Sequence, residues 1–174
     1  MAKKTAGRDW IAKAGPYEIL SLAIEMEHGA MKRYGEMAKS AEHRLARAKF
    51  RYLAEEEREH ARVLSAARRE VLQPEKSARA PSVTEGGGRP REDTPEGALR
   101  VALDAEHDAE AFYRDCSARC RGREARTLFL LLAEQESRHA RILDEELKLL
   151  DGLGGWRGIA GTAPDEQDFW TRGS

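Results

Sequence analysis

The chain has 174 residues, and its 30 Lys and Arg nearly cancel its 31 Asp and Glu. This length suits one domain with a single substantial core. A net charge of -1 gives no general attraction to nucleic acid or to an anionic membrane surface. The longest apolar runs are also too short to span a bilayer. We therefore expect neither nucleic acid nor a membrane as a partner.

The N-terminus favours a cytoplasmic protein, and the two cysteines have a structural interpretation. Met1-Ala-Lys-Lys-Thr is basic, but no apolar signal core follows it. Cys116 and Cys120 are the only cysteines, and they form neither a Cys-x-x-Cys metal motif nor a disulfide framework. We interpret both as structural thiols.

The first half of the chain predicts an arm followed by two helices. Residues 1–15 are polar and are expected to form a flexible N-terminal arm. Gly15-Pro16 begins the first helix, since Pro is tolerated in the first turn, and the apolar residues keep a 3.6-residue period to about residue 41. The second helix is predicted from about Arg44 to Leu72, ending before Pro74.

The second half begins with a linker and repeats the helical pattern. Residues 74–94 contain three prolines and three consecutive glycines, which predicts a crossover linker. Thr94, Pro95 and Glu96 then supply an N-cap, a Pro at the first position and an acid in the first turn of a third helix, to about residue 120. The fourth helix is expected to end near Asp151, closed by Gly152. The bundle thus covers 16–151, and 152–174 form a C-terminal tail containing Gly and Trp.

The sequence repeats itself with an offset of 79 residues. Residues 20–64 align with residues 99–143 without a gap, and 18 of the 45 aligned pairs are identical. The repeated acids and imidazoles are Glu27, Glu57 and His60 in the first half and Glu106, Glu136 and His139 in the second. This pattern predicts a duplicated helical hairpin.

The repeated residues form the ligand set of a dinuclear metal site. Such a site in a four-helix bundle takes a Glu from each of two helices and a Glu-x-x-His pair from each of the other two. Four buried carboxylates would be prohibitively costly alone, but two divalent cations would balance their charge. Carboxylate with imidazole favours iron or manganese, and the absence of thiolate ligands disfavours structural zinc.

Helical geometry places these groups at one height. Glu27 and Glu57 each lie 15 residues from residue 42, the middle of the first turn, and Glu106 and Glu136 lie 15 residues from residue 121. At 1.5 Å per residue, all four stand about 22 Å from their turns. Each His follows its Glu by three residues and shares its helix face. Two hairpins packed face to face would bring all six groups together at mid-bundle.

Four further residues near the ligand positions need interpretation. Tyr34 and Tyr113 lie two turns after the helix-one and helix-three Glu, where each is a core aromatic, a hydrogen-bond donor to a ligand carboxylate, or both. His28 and His107 lie about 100° round the helix from the ligand Glu, so we expect packing or an inter-helix hydrogen bond rather than ligation.

Glu110 is a possible extra ligand. It lies one turn after the third-helix Glu, and its counterpart in the first half is Met31. An additional carboxylate there could reach one metal only. A solvent-exposed role is the simpler interpretation.

The strings AIEMEHGAMKRY (23–34) with LAEEEREHA (53–61), and ALDAEHDAEAFY (102–113) with LAEQESRHA (132–140), resemble the rubrerythrin branch of the ferritin-like superfamily. The resemblance covers about residues 17–151. It implies an all-α, ferritin-like four-helix bundle with a long crossover and two iron ions. It also implies six ligands, namely Glu27, Glu57, His60, Glu106, Glu136 and His139.

The resemblance also implies an enzyme that reduces hydrogen peroxide, or that oxidises Fe(II) with dioxygen or peroxide. Rubrerythrins proper carry a further carboxylate three residues after the third-helix Glu, where this chain has Ala109. The redox-linked ligand exchange of that family is therefore not implied here, and the site should be more symmetric. This chain also lacks a rubredoxin-like domain with two Cys pairs, so its electrons would come from an external electron-transfer protein.

Three other functions use the same bundle. A non-enzymatic iron-binding or storage protein would require a large assembly, and a di-manganese catalase-like protein would differ in its metal. A hydroxylase of lipid-like substrates would need apolar surface, which a chain with 35% charged residues scarcely offers. We expect a homodimer, since the Gly-rich crossover could let two chains exchange hairpins.

Overall fold

The structure, a computed structural model, describes residues 13–71 and 94–157, with side chains up to residue 152. It contains four helices in these ranges: α1 (Pro16–Ser40), α2 (Arg44–Arg69), α3 (Pro95–Arg119) and α4 (Arg123–Arg157). Most of the predicted arm and linker, and the tail from residue 158, lie outside the described residues. None of the helices that the structure describes is long and apolar enough to cross a membrane.

The helix starts follow from local sequence. Gly15 precedes α1 in an extended conformation, and Pro16 occupies the first turn. At α3, the Thr94 hydroxyl accepts a hydrogen bond from the Gly97 N–H at 3.0 Å, so it satisfies one of the free donors of the first turn. Pro95 and Glu96 occupy the first turn of α3, as the sequence predicts.

The end of α4 differs from the prediction. The helix continues past Asp151 and ends at Arg157. Gly152 does not adopt the left-handed conformation with which glycine usually closes a helix. A helical glycine costs only about 1 kcal/mol relative to alanine, which does not by itself terminate a helix.

Two apolar clusters fill the bundle, one on each side of the buried acids. The first takes residues from the N-terminal halves of α1 and α4 and the C-terminal halves of α2 and α3; the second takes the opposite halves. The first consists of Leu20, Ala23, Ile24, Leu64, Tyr113, Cys116, Phe129, Leu132 and Ala133. The second consists of Tyr34, Met37, Ala38, Phe50, Leu53, Leu99, Ala102, Leu143 and Leu147.

This division fixes the direction of each helix. Helices α1 and α2 are antiparallel, as are α3 and α4, whereas α2 and α3 run in the same direction. The end of α2 and the start of α3 therefore lie at opposite ends of the bundle, about 39 Å apart for a 26-residue helix. This is the topology of two antiparallel hairpins joined by a long crossover that the sequence predicts.

Candidate metal centre

The six repeated acids and imidazoles lie together in the middle of the bundle, between the two apolar clusters. Each is buried, with at most 2% of its surface exposed. One Glu comes from each of α1 and α3, and one Glu-x-x-His pair comes from each of α2 and α4. Helical periodicity turns these positions inward because each lies on the apolar face of its helix.

The six residues divide into two overlapping groups. In each group one ligand atom per residue lies within 4.8 Å of the others, which is a suitable separation for one metal ion. Glu57 and Glu136 belong to both groups and can bridge two ions. The first group is completed by Glu27 and His60, and the second by Glu106 and His139.

The Nδ1 atoms of both imidazoles face the carboxylates. His60 Nδ1 lies 3.0 Å from Glu57 Oε2, 3.2 Å from Glu136 Oε1 and 3.8 Å from Glu27 Oε2. His139 Nδ1 lies 3.0 Å from Glu57 Oε1. The two rings are nearly parallel, at an interplanar angle of 15°, with centroids 5.5 Å apart. The pseudo-twofold symmetry of the sequence is thus kept in the site.

Several buried polar atoms of this cluster have no hydrogen-bond partner. Among the described residues these are both carboxylate oxygens of Glu57, both ring nitrogens of His60, Glu136 Oε1 and His139 Nδ1. Burying such atoms without a partner costs about 1–3 kcal/mol each, and more for charged groups. Metal ions coordinated by the carboxylate oxygens and by the Nδ1 atoms would satisfy all of these atoms except His60 Nε2, which lies on the opposite side of its ring. The donor set therefore fits a pair of divalent cations.

The imidazoles hold protons tightly when only protein groups surround them. Burial alone would lower the pKa of His60, but the carboxylates of Glu136, Glu27 and Glu57 raise that pKa to about 12. The same balance raises the pKa of His139 to about 12. Because a metal ligand must be a neutral imidazole, metal binding has to displace these protons.

The carboxylates separate into two kinds. Burial raises the pKa of Glu27 well above its usual value and that of Glu106 to about 7. Burial also opposes ionisation of Glu57 and Glu136, but the nearby imidazoles lower the pKa of both. The pKa is thus lowered at the two carboxylates that both groups share and raised at the two outer carboxylates.

Tyrosines hold the two outer carboxylates in place. The Tyr34 hydroxyl donates to Glu106, and the Tyr113 hydroxyl donates to Glu27. Burial and the adjacent carboxylate raise the pKa of each tyrosine well above its ordinary value, so both hydroxyls stay protonated and can donate. Each tyrosine belongs to one hairpin and each acceptor to the other, a crossed arrangement that the sequence does not reveal.

The other candidate residues lie away from the cluster. Glu110 is paired with Arg114 at 2.8 Å on the outside of α3 and is not among the grouped metal-ligand atoms. His28 and His107 are exposed rather than packed between helices. Cys116 is buried in the first apolar cluster, where desolvation raises its thiol pKa to about 12, which is consistent with a structural thiol.

A cavity of about 280 Å³ lies between α2 and α4, at the edge of the cluster. Its wall includes His139, and its other lining residues are Tyr52, Glu56, Arg138, Arg141, Ile142 and Glu145. Apart from His139, none of these lining residues is predicted from the sequence to belong to a site. The signal that could have identified them is the duplication itself, because most of them differ from their counterparts in the other half.

Comparisons with known proteins agree with this fold and show the family. The family model for rubrerythrin matches residues 18–86 and 97–153. Among curated proteins, the sequence finds no significant match.

Solved structures of similar fold come from several organisms. A hypothetical protein from Pyrococcus furiosus has a TM-score of 0.68 at 24% identity, over 84% of this chain and 96% of that one. An uncharacterized conserved protein from Magnetospirillum magnetotacticum has a TM-score of 0.58 at 26% identity, over 76% of this chain and 93% of that one. Bacterioferritin from Rhodobacter capsulatus has a TM-score of 0.63 at 23% identity, over 87% and 95%. The fold is thus a ferritin-like bundle, and the chain belongs to the rubrerythrin family.

Proposed function

We propose that the protein is a di-iron oxidoreductase that reduces hydrogen peroxide, with oxidation of Fe(II) by dioxygen or peroxide as the alternative use of the same site. The observation that carries this proposal is the sharing of Glu57 and Glu136 between both ligand groups. Shared carboxylates would hold two ions side by side, which suits chemistry on a two-atom oxidant. Membership of the rubrerythrin family supports the same reaction class.

Iron is the metal that we propose. Its ligands would be the carboxylates of Glu27, Glu57, Glu106 and Glu136 and the Nδ1 atoms of His60 and His139. Oxygen-rich ligand sets with one imidazole per ion suit iron or manganese. A bound ferrous pair would supply the two electrons that cleave the O–O bond of peroxide.

The surrounding residues would control position and solvent. Tyr34 and Tyr113 fix the outer carboxylates through hydrogen bonds from the opposite hairpin. Such hydrogen bonds orient ligands and typically change metal affinity or activity by about 10- to 100-fold when removed. The apolar clusters on both sides exclude bulk water and so strengthen the interactions of the charged groups.

The electron donor and the assembly belong to the same proposal. We propose a separate electron-transfer protein as donor, acting on a homodimer. Size-exclusion chromatography with light scattering separates this assembly from the large shell that iron storage would require. Metal analysis of protein purified from its native host distinguishes iron from manganese.

The test is an anaerobic reaction of the reduced, iron-loaded protein with hydrogen peroxide, followed by stopped-flow absorbance. We expect peroxide to oxidise the bound iron faster than it oxidises free Fe(II), and faster than dioxygen does. Glu136→Gln should abolish this acceleration. Glu110→Gln is the matched control, since Glu110 pairs with Arg114 outside the site. Oxidation no faster than that of free Fe(II) would refute the proposal.

A further inference from the structure

The cavity over His139 is open to solvent on one side and is bounded on the other by His139, one of the six grouped residues. Tyr52 is 51% exposed at its rim, and Arg138, Arg141 and Glu145 are also exposed. His139, only 2% exposed, lies at its inner wall. A small molecule entering between α2 and α4 therefore meets the imidazole of one ligand group directly.

The size of the cavity limits what it can admit. Its volume of about 280 Å³ lies just below the range of about 300–1,000 Å³ that holds drug-sized ligands. A water molecule in the liquid occupies about 30 Å³, so several molecules of that size fit. The cavity suits a small oxidant and not a lipid-like or other large organic substrate.

The charges around the cavity favour a neutral polar molecule. Two arginines, Arg138 and Arg141, oppose two acids, Glu56 and Glu145, so the charges of these four side chains cancel. None of these four side chains forms an ion pair with another of the four. Their donors and acceptors are thus available to a molecule that both donates and accepts hydrogen bonds, as hydrogen peroxide does.

The equivalent surface over His60 differs in the charged residues that correspond to Arg138 and Arg141. With the offset of 79 residues, Arg138 corresponds to Glu59 and Arg141 to Arg62. Glu59 and Arg62 form a two-pronged ion pair at 2.6 and 2.7 Å along α2. Over His139 the corresponding residues are the two arginines Arg138 and Arg141, which repel each other. The single change from Glu59 to Arg138 between the halves thus replaces an ion pair with two cations that do not pair with each other.

We propose that the cavity over His139 is the route by which hydrogen peroxide reaches the metal centre, and that the equivalent surface over His60 is closed. The site is symmetric in its ligands and asymmetric in its access. Arg138 is then a specificity-determining residue, because it cannot pair with Arg141 as Glu59 pairs with Arg62. The choice of peroxide rests on the proposed function, whereas the asymmetric opening does not.

The opening is tested first in the metal-free protein, where no activity is involved. Ile142 lines the cavity and Val63 is its counterpart, and both are partly buried. Ile142→Cys and Val63→Cys are alkylated with iodoacetamide, a small uncharged reagent, at a pH above the thiol pKa, and the labelled peptides are quantified by mass spectrometry. We expect faster labelling at position 142. Equal labelling, or faster labelling at position 63, overturns the proposal.

The role of Arg138 is tested in the iron-loaded protein by two exposed substitutions. Arg138→Glu allows residue 138 to pair with Arg141 as Glu59 pairs with Arg62. This pairing should slow oxidation by peroxide by about fivefold, because an exposed ion pair can favour the paired conformation by about that factor. Glu59→Arg, which removes the pair over His60, should not slow the reaction. Metal content and thermal stability of both variants are measured alongside.

The outcomes separate the two proposals. An unchanged peroxide rate in Arg138→Glu, with iron content intact, overturns the assignment of Arg138. If the unsubstituted protein shows no accelerated reaction with peroxide, the proposed function fails. In that case, preferential labelling at position 142 would still establish the asymmetric opening.

Discussion

The hydroxyl of Tyr34 in the first hairpin donates a hydrogen bond to the carboxylate of Glu106 in the second. Tyr113 makes the reciprocal bond to Glu27. Each hairpin therefore orients an outer carboxylate of the candidate metal centre that belongs to the other hairpin. The duplication produces a site whose two halves depend on each other, rather than two independent halves placed side by side.

Loss of either tyrosine hydroxyl should destabilise the protein. Tyr34→Phe leaves Glu106 without its buried donor, and a buried acceptor left without a partner costs about 1–3 kcal/mol. We expect the free energy of unfolding to fall by about this amount in denaturant titrations of the metal-free protein. Tyr52→Phe is the control and should change it little, since Tyr52 is 51% exposed. Equal losses in both variants would contradict the structural role of the crossed bond.

Substitution of a carboxylate that both ligand groups share should remove more bound metal than substitution of an outer carboxylate. Glu57 belongs to both ligand groups, whereas Glu27 belongs to one. We expect Glu57→Gln to weaken both metal sites and Glu27→Gln to weaken one and spare the other. Metal content after dialysis, with competition titration against a chelator, measures this difference. Glu110→Gln should retain the full complement, and identical losses in Glu57→Gln and Glu27→Gln would count against bridging.

Metal-free protein should lose stability as the pH rises. Folding raises the pKa of Glu106 from 4.5 to about 7 and that of His60 and His139 from 6.5 to about 12. The folded state thus binds these protons more tightly than the unfolded state. Their stabilising contribution is complete below the unfolded pKa and is lost as the pH rises through the folded one.

The measurement is thermal unfolding with excess chelator and with bound metal, from about pH 5 to about pH 9. Metal replaces the same protons, so the stabilisation due to metal should grow across this range. Calorimetric titration in buffers of different ionisation enthalpy should also show proton release on metal binding. If the metal-induced increase in melting temperature became smaller as the pH rose, the predicted direction of the pH dependence would be wrong.

A glycine in the middle of α1 offers a stabilising substitution. Gly29 is exposed and helical, and a Cβ added there meets no atom within 4 Å. Its counterpart in the second half is Asp108. Gly29→Ala should raise the free energy of unfolding by about 0.5–1 kcal/mol, because alanine loses less backbone entropy on folding. Gly15→Ala provides the contrast and should not stabilise the protein, since Gly15 is the N-cap of α1, where alanine is disfavoured, and the Glu18 carboxylate 2.7 Å from the new Cβ would have to shift. A loss of stability in Gly29→Ala would contradict the open space seen there.

The sequence by itself determined the helices, the duplication and the identity of the grouped acids and imidazoles. These follow from local rules: the 3.6-residue period, the Thr94 cap, and the equal distances of Glu27 and Glu57 from their turn. The local rules were less reliable at Gly152, because a single glycine weakens a helix without ending it, and α4 continues to Arg157.

Only the tertiary structure decided which groups face each other. The crossed bonds of Tyr34 and Tyr113, the sharing of Glu57 and Glu136, and the opening over His139 all join atoms from different helices. Residue spacing fixes the height and face of a side chain on its own helix. The rotation and approach of a neighbouring helix depend on how the two apolar clusters pack, and that packing is a property of all four helices together.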